Sequence, residues 1–65
     1  MNDVLIDLLE VLIKEKTRKA AYYAKLAAGE TFEPKPLVWY ALRKAALESE
    51  IEGHKNTILR ERGEI

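Results

Sequence analysis

The single histidine, His54, stands one helical turn after Glu50 in a segment that reads as helix. That spacing puts both side chains on one face, where they could offer two ligands to one metal ion. Bundles that hold di-iron centres place a glutamate three residues before the histidine, and here that position is Ile51. The first half of the chain adds Glu10 and Glu15 as the supporting carboxylates. A seam or solvated histidine is therefore the better reading, and no metal or other cofactor is expected. Cysteine is absent, which removes thiolate ligands and a cysteine nucleophile together. Thr17, Thr31, Ser49 and Thr57 have no histidine spaced to activate them, and no glycine-rich phosphate loop is present. The expectation is a protein that is not an enzyme.

Charged residues offer two further constellations. Lys16 and Lys19 lie midway along an apolar helix face, and Glu48 and Glu52 lie midway along the second half. An anion site or catalytic pair is one use for them. A polar layer that sets register between packed helices is the simpler one, and Lys16, Glu48 and Glu52 are read as a buried polar layer. Lys14, Arg18 and Lys25 project outward together, as a strip for nucleic-acid phosphates would require. Eleven basic residues balance eleven acidic ones, so no global field draws the chain to polyanions. A solvated helix face explains the strip equally simply.

Aromatic residues gather around the middle of the chain: Tyr22, Tyr23, Phe32, Trp39 and Tyr40. They read as a small core that closes one end of the molecule. Trp39 falls off both apolar stripes of its helix, which makes it a docking anchor for a protein partner. Phe32, Tyr40, Leu8, Val11 and Val4 join it as interface candidates.

These residues are positioned by two helices around one break. Gly29 through Pro36 holds both prolines and one of the three glycines in 65 residues. The chain reads as one domain, residues 1–65, with helix 1 at about 3–28, a loop at 29–35 and helix 2 at about 36–62. Asn2 or Asp3 suits the first cap, and Gly29 suits the left-handed residue that ends helix 1. Pro36 suits the first position of helix 2. Leu37, Tyr40, Lys44, Leu47, Ile51, His54, Ile58, Glu61 and Ile65 alternate spacings of three and four, which is a heptad seam. Val38, Ala41, Leu42, Ala45, Ser49 and Leu59 form a second stripe beside it. Gly53 invites a kink, and the end from Arg60 to Ile65 is expected to fray.

The fold class expected is all-α: an antiparallel two-helix hairpin that homodimerises into a four-helix bundle. Closure about the loop sets Lys16 opposite Glu48, Leu12 opposite Glu52 and Leu5 opposite Leu59. Val4 to Ile13 is apolar over more of the helix than one neighbour covers. A chain this short rarely obtains more than about 3–5 kcal/mol from one core, and self-association is the remedy open to it. This plan resembles, in architecture alone, that of the small plasmid-copy-number Rop proteins. The resemblance implies an RNA- or DNA-binding helical dimer, for which the basic strip of helix 1, Lys14, Arg18 and Lys25, would be the contact. The leading expectation is a small regulatory protein that acts as a helical homo-oligomer and binds another protein. The most apolar run is broken by Asp7 and Glu10 and falls short of the ~20 residues of a membrane span, so a cytoplasmic location is expected.

Overall fold

The structure is a computed structural model that describes residues 3–29 and 34–64. Two α-helices, α1 (Asp3–Ala27) and α2 (Leu37–Glu61), pack side by side as a hairpin. The molecule measures 45 × 18 × 12 Å, so it is one helix thick in its shortest dimension. Among the described residues no helix is long and apolar enough to cross a membrane.

Backbone chemistry sets the helix ends. Gly29 adopts φ +77°, a left-handed conformation in which a side chain is strained, and its amide donates to the Leu26 carbonyl at 3.1 Å. A methyl group added at Gly29 would stand 3.8 Å from Leu37, so the turn closes directly against the start of α2. Pro36 precedes α2 instead of opening it. It is extended, at φ −59° and ψ 147°, and its carbonyl accepts the Trp39 amide at 3.0 Å. Its φ already matches the helix, and the extended ψ places Pro36 just before the first helical residue, a one-residue difference from the expected start. The far end of α2 closes in a glycine turn. Gly63 takes φ +75°, and the Glu64 amide reaches back 2.9 Å to the Leu59 carbonyl. Gly53 causes no break, since α2 runs through it. Asn2, Phe32, Glu33 and Ile65 lie outside the described residues.

The interface follows the heptad. On α2 the buried residues are Tyr40, Leu47, Ile51 and Ile58, all on the expected seam. On α1 they are Ile6, Leu9, Ala20 and Leu26. Ile6, Leu9 and Ile58 form a cluster against which Leu5, Leu12 and Ile13 pack. Midway, Ala20 lets α2 approach, and toward the loop tyrosines fill the gap. No polar or charged side chain is fully buried among the described residues.

Candidate interaction surfaces

The seam between the helices divides the molecule into two flanks. At 100° per residue, Lys16 and Tyr23 lean to one side of the α1 seam, and Thr17 and Ala24 to the other. On α2, Glu50 and His54 lean toward the Lys16 side, while Glu48 and Glu52 lean away. This geometry corrects the expected polar layer. Lys16 is half-buried, and its ammonium lies 2.8 Å from His54 Nε2 and 3.4 Å from Glu50 Oε2. An ammonium only donates, so the imidazole nitrogen accepts. Glu48 and Glu52 are exposed on the opposite flank. There Glu48 meets Lys44 at 3.4 Å, and both glutamates line a shallow groove of about 390 Å³ with Thr17, Ala20 and Lys55. Matching the helices by level alone paired Lys16 with Glu48, because it ignored the direction in which each side chain leaves its helix. Farther along, Arg62 bridges to Glu10 at 3.3 Å.

The aromatic end is assembled by both helices. Tyr23 lies between three rings, with centroids 5.8 Å from Tyr22, 6.2 Å from Trp39 and 6.1 Å from Tyr40. Tyr40 is buried and stacked on Tyr23, so it belongs to the core and cannot serve as a docking contact. Trp39 keeps part of its ring in solvent, with the Lys35 ammonium 4.9 Å and the Arg43 guanidinium 5.8 Å from the ring centroid. Phe32, the remaining aromatic candidate, lies outside the described residues.

Among the described residues, exposed apolar side chains gather in two patches, with Tyr22 and Leu37 also more than half exposed. Val4, Leu8 and Val11 form the first, on α1, with Val4 80% exposed. Val38 and Leu42, each 65% exposed, form the second beside Trp39 at the start of α2. In the sequence Val38 and Leu42 belong to the stripe beside the seam, and the structure places them on the surface. Their position opposite the seam, about half a helical circumference from Tyr40 and Leu47, was the available signal.

Lys14, Arg18 and Lys25 are exposed on the outer side of α1. Among the described residues none of the three stands within ion-pair distance of a carboxylate. No group of three or more acidic, histidine or cysteine side chains is placed to hold a metal ion among the described residues. No protein-family model, curated protein or solved structure matches this chain.

Proposed function

We propose that this chain is a non-enzymatic interaction protein that works as a homodimeric helical bundle and binds another protein. The observation that carries the reading is the pair of uncovered apolar patches on opposite helices. Large apolar side chains held in water at two separate places on so small a molecule favour contact with two different neighbours. The α1 patch around Leu8 serves self-association. The α2 patch, with Val38, Leu42 and Trp39, receives a second protein. Lys35 and Arg43 frame that patch and favour a partner whose apolar contact is rimmed by carboxylates.

Solution mass by light scattering across a dilution series tests the first part. A constant dimer mass is expected, and a folded monomer at every concentration would refute it. For the second part, Val38→Glu combined with Leu42→Glu should leave mass and helicity unchanged while abolishing co-purification of the bound protein. Retention of that protein by the double variant would refute the α2 patch.

The unpaired cations of α1 favour a second reading, binding of RNA or DNA along Lys14, Arg18 and Lys25. These span about 16 Å at the helical rise, enough to meet more than one phosphate. Gel-shift titration at several salt concentrations decides it: binding that weakens steeply with salt supports this reading, and no binding at low salt removes it.

A further inference from the structure

We propose that a second copy of this chain packs antiparallel on the Lys16–His54 flank, α1 against α1, about a two-fold axis passing between Glu15 and Lys16. The inference rests on the self-association proposed above and assigns its face and orientation.

The α1 helix carries two heptad rows. One faces α2 through Ile6, Leu9, Ala20 and Tyr23. The other runs Leu5, Leu8, Leu12, Glu15, Lys19 and Tyr22, again in alternating steps of three and four. The hairpin leaves this second row partly open: Leu8 and Tyr22 are both 56% exposed. A row spaced this way is built to be occupied by a helix.

The pairing of side chains selects the orientation. With the axis between Glu15 and Lys16, each Glu15 comes opposite Lys16 of the second copy. Leu12 then meets the aliphatic stem of Lys19, and Leu8 meets the ring of Tyr22. The competing two-fold, parallel to the helices, sets α1 against α2 of the second copy. Glu15 would then face Glu50, and Leu8 and Leu12 would face Thr57 and Gly53. That arrangement sets leucine on polar surface, whereas the antiparallel one gives it the Lys19 stem and the Tyr22 ring.

Gly53 supplies an independent observation. It lies inside α2, where glycine costs about 1 kcal/mol relative to alanine, and an added methyl group would meet nothing within 4 Å. The hairpin therefore gives no reason for its missing side chain. Because Lys16 contacts Glu50, an axis beside Lys16 crosses α2 near Glu50. Ala46 and Gly53 stand at similar distances on either side of that crossing. Across the axis each Gly53 meets an Ala46, and the two α2 helices approach closely. The two Glu50 carboxylates come together at the axis, each 3.4 Å from its own Lys16 and half exposed to solvent.

Cysteine cross-linking of the full chain tests the arrangement, since no native cysteine interferes. Leu8→Cys and Tyr22→Cys variants, mixed and oxidised, are expected to give a mixed disulfide dimer at least ten times faster than either gives alone. Preferential Leu8→Cys self-linking would overturn the antiparallel orientation. A dimer by light scattering that forms no mixed disulfide would overturn the assigned face while leaving self-association intact. A monomer at all concentrations would overturn both. As a second measurement, Gly53→Leu should keep the helical circular dichroism signal and weaken dimerisation at least tenfold. An unchanged dimer in that variant would also overturn the proposal.

Discussion

Lys16 on α1 and His54 on α2 meet at 2.8 Å across the centre of the interface, ammonium donating to imidazole. Both occupy seam positions that a leucine would fill in a fully apolar bundle. Lys16 keeps 24% of its side chain in solvent, so the contact is screened and worth little. A double-mutant cycle over Lys16→Leu and His54→Leu should give a coupling energy below about 1 kcal/mol. At concentrations where both are monomeric, the double variant should be at least as stable as the parent chain in urea unfolding. A double variant less stable by more than ~1 kcal/mol would show that the pair supports the fold itself.

Truncation in the apolar cluster is expected to act much more strongly. Leu9→Ala and Ile58→Ala each remove packing at the Ile6–Leu9–Ile58 contact. Costs of about 2–4 kcal/mol are typical of such changes, comparable with the whole stability of a chain this short. Circular dichroism melting should find either variant largely unfolded near 37 °C. Val4→Ala, at a side chain 80% exposed, should shift the melting temperature by no more than a few degrees.

Gly29→Ala forces a side chain into the left-handed region at φ +77°. The conformational cost is roughly 1–2 kcal/mol. For a domain of this size each kcal/mol lowers Tm by about 4–8 °C. The same substitution at Gly63, beyond the last turn of α2, should cost less, because that end can open without separating the helices. Equal shifts at the two sites would contradict this difference.

Glu10→Gln removes the carboxylate that meets Arg62 between two exposed side chains. The expected change is below about 0.5 kcal/mol and should vanish in high salt. Denaturation at low and high ionic strength measures it directly.

How far these features could be read in advance depends on how unevenly polarity is distributed around each helix. On α2, charged residues separate the apolar ones, so Tyr40, Leu47, Ile51 and Ile58 could be assigned to one seam, and all four are buried. Gly29 could likewise be recognised as the residue that ends α1. The segment from Val4 to Ile13 carries apolar side chains around most of its circumference, and periodicity there points in no single direction. Val4, Leu8 and Val11 could still be singled out as surplus apolar width, and all three are exposed, but only packing shows that Ile6 and Leu9 are the pair most deeply buried there. The Lys16 contact needed axial level and side-chain direction together. Spacing supplied the level, whereas direction depended on which flank α2 offered.

Trp39 is the single tryptophan of the chain, and it sits where both helices meet, 6.2 Å from Tyr23 and 5.2 Å from Tyr40. Tyrosines so near transfer excitation to an indole efficiently, and the cations beside the ring influence its emission wavelength. The molecule thus carries its own optical reporter at the closed end of the hairpin. Separation of the helices there would restore tyrosine emission and shift the tryptophan spectrum. A protein docking on Val38 and Leu42 would instead alter tryptophan emission while energy transfer from Tyr23 persisted. The two events are distinguishable by fluorescence in the unlabelled chain.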